Sequence, residues 1–329
     1  MLLDSFDAIL SDLDGVVYAG PFAIEGAVES LNRSVEMGVP VAYVTNNASR
    51  SVETVAEHLQ QLGVKTDADH VVSSAQAAAR MLKEHLEPGD KVLVCGAQAL
   101  ADCLTEAGLT PVFSQQEEPR AVAQGFNPQI TWENLAEAAY TLADPEVLWV
   151  VSNTDFTIPK ERGIAPGNGT LVGAVATATG RTPLVAGKPE APIFATGAQK
   201  LGAVRPVVVG DRLDTDIQGG NRAGMPTALV MTGVDTFESV LAAVSLERPT
   251  YILKTLADFF LDYPEITVET SENSASAVLG SLEALAQGDT LTLRGEGAEI
   301  DRVRVACAAW WAAHPETETV LAPRELIRE

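Results

Sequence analysis

Ala8-Ile9-Leu10-Ser11-Asp12-Leu13-Asp14-Gly15 decides how this chain is read, because an apolar run of strand character delivers two carboxylates into a glycine turn. A strand alternates its side chains, so Asp12 and Asp14 share a face if the extended conformation persists, and Gly15 lets the backbone turn sharply around whatever they hold. Alone, such a string is more often a solvated turn or a fragment of a calcium loop. Three later segments give it weight. Thr45-Asn46-Asn47 follows the strand-like run 39–44 and again places polar side chains at a carboxyl end, although asparagine pairs also mark turns. Gly187-Lys188-Pro189 sets one cation where the chain changes direction before a helical stretch over 193–201. Val207-Val208-Val209-Gly210-Asp211-Arg212-Leu213-Asp214-Thr215-Asp216 is a strand of buried character followed by three acids. Asp214 or Thr215 is expected to cap the next helix, whereas Asp211 and Asp216 suit a divalent metal.

Around these segments, apolar strands alternate with amphipathic helices, the pattern of a mostly parallel, doubly wound α/β sheet covered on both faces. Helices are predicted over 25–37 and 51–62, closed by Gly38 and Gly63. Strands over 8–11, 41–44, 207–209 and 228–231 should form the centre of the sheet, with function at their carboxyl ends. The interval between Thr45 and Lys188 is far too long for a loop. Strands over 91–95 and 147–151 and helices over 97–106, 133–142 and 170–179 make it an inserted α/β domain. The last segment, 264–329, reads as strand 266–269, helix 276–286, strand 290–294, helix 301–313 and strand 319–321, a small α/β appendage. Trp310 and Trp311 adjoin on its second helix, so at most one can face fully inward. The pair points to docking on the main body or on a partner surface.

The chain has 329 residues, 46% of them hydrophobic, and a formal net charge of −23. Two or three domains are expected from that length. The charge argues against nucleic-acid binding, which needs a basic face. No apolar run is long enough to span a bilayer, and the acidic start lacks the basic flank of a signal peptide, so a soluble, cytoplasmic protein is expected. Cys95, Cys103 and Cys307 are too few for a disulfide framework and read as small buried apolar residues. His58, His70, His85 and His314 form no cluster, leaving a zinc site or a phosphohistidine mechanism unsupported. Such an acidic chain repels phosphate esters at long range. A site that binds one must supply positive charge locally, from magnesium, Lys188 and backbone amides at helix starts.

Taken in order, the motifs at Asp12/Asp14, Thr45, Lys188 and Asp211/Asp216 resemble those of the haloacid dehalogenase superfamily of phosphotransferases, over about residues 4–262. The resemblance implies a core of 1–78 and 184–262, an α/β cap of 79–183 and a C-terminal domain of 263–329. True dehalogenases lack the second aspartate, so Asp14 implies a phosphatase or phosphomutase. Ser152-Asn153-Thr154-Asp155, Pro159, Gly163, Pro166-Gly167-Asn168-Gly169 and Ala178-Thr179-Gly180-Arg181 are similar to the large cap of the p-nitrophenylphosphatase, phosphoglycolate, pyridoxal and glycerol phosphate phosphatase branch. There the loop 153–169 shapes the leaving-group pocket. Ile158 stands where pyridoxal phosphatases carry a ring-contacting histidine, which disfavours a planar cofactor ring and leaves a small polyol or short acid phosphate. Asp155, Lys160 and Arg162 are candidate polar contacts. The C-terminal piece is similar to part of an acetyltransferase fold but lacks an evident glycine-rich acyl-carrier loop.

The mechanism implied is a two-step transfer: Asp12 is the nucleophile and Asp14 the acid and then the base. Thr45, Asn46, Asn47 and Lys188 bind the phosphoryl group. Magnesium lies on Asp12, Asp211 and the Asp14 carbonyl, and Asp216 orients its waters or Lys188. The expected ester is glycerol 3-phosphate, with phosphoglycolate or another small metabolite as the alternative. A reading from a different class is a phospho-accepting sensor with little turnover. The partners expected are a small phosphorylated metabolite, with no nucleic acid and no membrane; homo-oligomerisation is left open.

Overall fold

The computed structural model describes residues 1–160 and 162–329, and the chain forms two compact units, Met1–Val41 with Val204–Glu329, and Ala42–Ala203. In the first unit, strands Tyr251–Leu253, Thr227–Val230, Pro206–Gly210 and Ala8–Ser11 lie side by side in that order, all parallel. Every residue of the last three is buried, which is why they read as continuous apolar runs rather than alternating ones. Ser11 pairs in register with Val209, so Asp12 and Asp211 leave neighbouring strands at the same edge of the sheet. Helix Ala27–Glu36 buries Ala27, Ser30, Leu31 and Ser34 on one stripe, within the range expected from its periodicity.

The C-terminal segment belongs to this first unit. Its sheet runs Thr267–Ser271, Ser274–Leu279, Leu282–Gln287, Thr290–Arg294, Glu325–Arg328, with the first four antiparallel and the last pair parallel. Two expectations fail here. The helix over 276–286 is instead a hairpin turning at Gly280, whose φ is +60°. Its alanines, leucines and glutamate favour a helix locally, but Ala275 and Ala277, then Leu282, Ala284 and Ala286, are buried at every second position against helix Glu299–Ala313. The strand over 319–321 is irregular chain, and the fifth strand forms at Glu325–Arg328. Trp310, only 1% exposed, donates its indole N–H to the Leu321 carbonyl, and half-buried Trp311 donates to Leu241. Leu282, Leu291, Leu293 and Trp310 share one core with Ile217, Leu229, Val240, Leu241 and Ile252. The tryptophan pair thus docks the appendage on the body of its own unit.

In the second unit, residues Tyr43–Thr45 of strand Val41–Thr45 pair in parallel with Val71–Ser73. Leu184–Val185, Leu148–Val151, Ala121–Gln124, Lys91–Cys95 and Thr110–Val112 form a separate parallel sheet. Its core joins Leu93, Cys95, Val122 and Trp149 to Ala138 and Leu142 of the segment around helix Trp132–Thr141, and to Val172 and Val175 of helix Asn168–Thr179. Thr157–Lys160 and Gly163–Pro166 pair as an antiparallel hairpin of their own. No helix among the described residues is long and apolar enough to cross a membrane. None of the three cysteines is in a disulfide; Cys95 and Cys307 are buried.

Candidate active site

In the first unit, the chain leaves strand Ala8–Ser11 still paired, with the Asp12 N–H donating to the Val209 carbonyl at 2.8 Å. The turn then closes through Gly15 at φ +81°, whose N–H donates to the Tyr18 carbonyl at 2.8 Å and whose own carbonyl accepts from Thr232 Oγ1 at 2.7 Å. From the adjacent strand end, Asp211 points at the same place and accepts the Val234 N–H on Oδ2 at 2.8 Å. One turn of π-helix, Leu213–Ile217, carries Asp216 back over Gly210, where a Cβ atom would overlap the Asp216 carboxyl group. Carboxylate oxygens of Asp12, Asp211 and Asp216 lie within 4.8 Å of one another, with Asp211 and Asp216 2% and 1% exposed.

Three carboxylates crowded in this way repel one another unless a cation stands among them. The donor set is oxygen only, and the glycines at 15 and 233 leave no room for a side chain beside Asp211, so the cluster fits a hard divalent ion. The Asp216 carboxylate, assigned to an orienting part, is in the group; the exposed Asp14 carboxylate is not.

One expectation is corrected here. Neither Asp214 nor Thr215 caps a helix among the described residues: Thr215 Oγ1 faces Asp216 Oδ2 at 3.5 Å, and Asp214 takes a two-pronged hydrogen bond from Arg212, at 3.0 and 2.8 Å, on the surface, which holds the Arg212 pKa above its ordinary value. The amide of Leu213 is instead capped by Asp235, at 2.6 Å, a residue the sequence reading passed over. Its signal was present, because Thr232-Gly233-Val234-Asp235 follows the end of strand Thr227–Val230 as the other motifs follow theirs.

The second unit gathers the remaining motif residues. Lys188 is 3% exposed, an unusual degree of burial for a lysine. Thr45 Oγ1 accepts the Asn47 N–H at 3.1 Å, and Asn47 Oδ1 closes a turn onto the Ser49 amide and hydroxyl at 2.9 and 2.8 Å. Asn47, expected to bind phosphate, is thus an exposed turn residue. Asn46, given the same role, commits its carboxamide to protein groups: Oδ1 accepts the Lys188 N–H at 2.8 Å, and Nδ2 faces the Lys188 carbonyl at 3.2 Å and both Asp155 oxygens at 3.3 Å. Asp155 is half-buried and Arg162 exposed, while the Lys160 side chain lies outside the described residues.

A haloacid dehalogenase-like hydrolase family model matches residues 9–110, and a second HAD-hydrolase-like model matches 185–259. The chain is 42% identical over 309 residues to the D-glycerol 3-phosphate phosphatase of Mycobacterium tuberculosis, covering 93% of this chain and 86% of that one. It is 38% identical over 256 residues to an acid sugar phosphatase of Staphylococcus aureus, covering 77% of this chain and 96% of the relative. A glycerol phosphate phosphatase structure from M. tuberculosis in complex with magnesium superposes with a TM-score of 0.86 at 36% identity, covering 100% of this chain and 95% of that one; the same protein is also known with calcium. With carboxylates converging at the ends of parallel strands and relatives matched along nearly its whole length, the chain belongs to the haloacid dehalogenase-like hydrolase family.

Proposed function

We propose that the chain is a magnesium-dependent phosphatase that hydrolyses glycerol 3-phosphate through an aspartyl phosphate. The observation that carries this reading is the Asp12–Asp211–Asp216 cluster, found in a chain alike over 93% of its length to a D-glycerol 3-phosphate phosphatase. An Asp12 oxygen attacks phosphorus, and the new P–O bond forms as the ester P–O bond breaks. Asp14 gives its proton to the leaving alkoxide, then takes one from the water that attacks the acyl phosphate and returns Asp12 to a carboxylate, a role worth about 10²–10⁴ in rate. Thr45 and Lys188 hold the phosphoryl oxygens. Bound by Asp12, Asp211 and Asp216, magnesium would neutralise the anions that this chemistry brings together. The C-terminal sheet, which we read as similar to part of an acetyltransferase fold, serves stability rather than acyl transfer.

Phosphate release from a panel of small phosphate esters, ranked by kcat/KM, tests the assignment. Glycerol 3-phosphate should lead; an acid sugar phosphate or phosphoglycolate in first place would move the substrate while keeping the chemistry. Asp12→Asn should abolish turnover, and chelation of the metal should do so reversibly. Turnover surviving Asp12→Asn refutes the mechanism. A long-lived acyl phosphate with little phosphate release would favour the sensor reading, which Asp14 opposes.

A further inference from the structure

We infer that Asn46 is a positioning residue that ties the leaving-group loop at Asp155 to the phosphate-binding Lys188, so that the occupant of one is felt by the other. The orientation of its carboxamide is fixed by partners that cannot exchange roles. A backbone N–H can only donate, so Oδ1 must face the Lys188 amide, at 2.8 Å; a backbone carbonyl and a carboxylate can only accept, so Nδ2 must face the Lys188 carbonyl, at 3.2 Å, and Asp155, at 3.3 Å to each oxygen. Both backbone polar groups of Lys188 are thereby held by one side chain. The main chain of Asn46 is held in turn. Its carbonyl accepts from Ser74 Oγ at 2.6 Å and from Asn153 Nδ2 at 2.7 Å, and Asn153 Oδ1 takes the Asp155 N–H at 3.2 Å. Asn153 is 3% exposed, and its own carbonyl accepts from Asn168 at 2.7 Å, which anchors the loop to the start of helix Asn168–Thr179. Gly187 completes the frame, since a Cβ atom there would overlap Asn46 Oδ1 and the Ser152 carbonyl.

The inference rests on the reading that Lys188 binds the phosphoryl group, and it makes a prediction that charge alone would reverse. Inorganic phosphate has no leaving group. If Asp155 served only to contact the leaving group, removing its negative charge would leave phosphate binding unchanged or tighten it. If Asp155 is a strut of the Asn46–Lys188 frame, its loss should weaken phosphate binding.

The experiment measures inorganic phosphate inhibition of the magnesium-loaded enzyme for wild type, Asp155→Asn, Asp155→Ala, Asn46→Asp and the double variant Asn46→Asp/Asp155→Asn. Asp155→Asn keeps an acceptor oxygen for the Asn46 amide, so its inhibition constant should stay within about fivefold of wild type; Asp155→Ala loses the acceptor and should raise it about tenfold or more. Asn46→Asp keeps the acceptor for the Lys188 amide but sets two carboxylates face to face. In the double variant the carboxamide introduced at position 155 can donate to the carboxylate introduced at position 46, and phosphate binding should recover at least tenfold. Equal or tighter phosphate binding in Asp155→Ala, or no recovery in the double variant, overturns the inference. Should wild type turn over no ester, the phosphatase reading falls separately. The coupling is then read from the thermal midpoints of the same variants, where non-additivity supports the strut and additivity removes it.

Discussion

Gly233 lies so close to the carboxyl group of Asp211 that a Cβ atom at position 233 would overlap it. Gly15 bounds the same carboxyl group, at a φ of +81° that a side chain would strain as well. The two glycines work as a mould: the aim of Asp211 depends on both being bare. Gly233→Ala should therefore displace Asp211 with modest effect on the fold. We expect kcat to fall about 100-fold, the scale of loss from a displacement near 1 Å, with weaker magnesium binding by calorimetry. Wild-type kcat and metal affinity in Gly233→Ala would show that the carboxyl group relaxes without consequence.

Arg304 joins the C-terminal helix to the core. It is 8% exposed and donates to the Ile252 carbonyl and Asp301, each at 2.8 Å, and to Asp258 at 3.3 Å, while its guanidinium sits 4.8 Å from the centre of the Tyr263 ring. Removing one member of such a buried ionic group leaves the others unpaired and costs about 3–5 kcal/mol; Asp258 and Asp301 retain some exposure, which places Arg304→Ala at the lower end. Denaturant unfolding measures it, and a loss below about 1 kcal/mol would show that the anchor is dispensable. Deleting residues 264–329 should do worse, because Val240, Leu241 and Ile252 would lose the Leu282, Leu293 and Trp310 side that completes their core. The truncated chain is expected to aggregate.

The residues to which we assign the chemistry were legible because each breaks a pattern. Asp12 and Asp211 are acids ending apolar strands, and Lys188 is a lone cation at a turn, so composition and periodicity together single them out. Two kinds of feature were not legible. The part played by Asn46 depends on partners at positions 155 and 188, and no local spacing announces that its carboxamide faces protein groups. The hairpin Ser274–Leu279 with Leu282–Gln287 was hidden for the opposite reason. Its alanines, leucines and glutamate have strong local helix preference, and only the core beneath makes every second residue the buried one.

Cys95 offers a test of the inserted sheet that is independent of catalysis. It is fully buried at the end of strand Lys91–Cys95, and burial pushes its thiol pKa up to about 12. In the unfolded chain the thiol titrates near about 8.5. Above that pH the unfolded state loses a proton that the folded state keeps, so folding becomes less favourable as pH rises; the contribution is complete below about pH 8.5 and is lost progressively toward about pH 12. The slope for one thiol approaches about 1.4 kcal/mol per pH unit inside that window. Cys95→Ala lowers the overall stability by emptying a small volume, but it should also flatten the decline between about pH 9 and about pH 11 relative to wild type, because the remaining titrating groups are common to both proteins. Denaturant midpoints in reducing buffer across that range read the difference. Parallel curves would mean that the Cys95 thiolate is tolerated in the fold and that the interior of this sheet is less dry than its packing indicates.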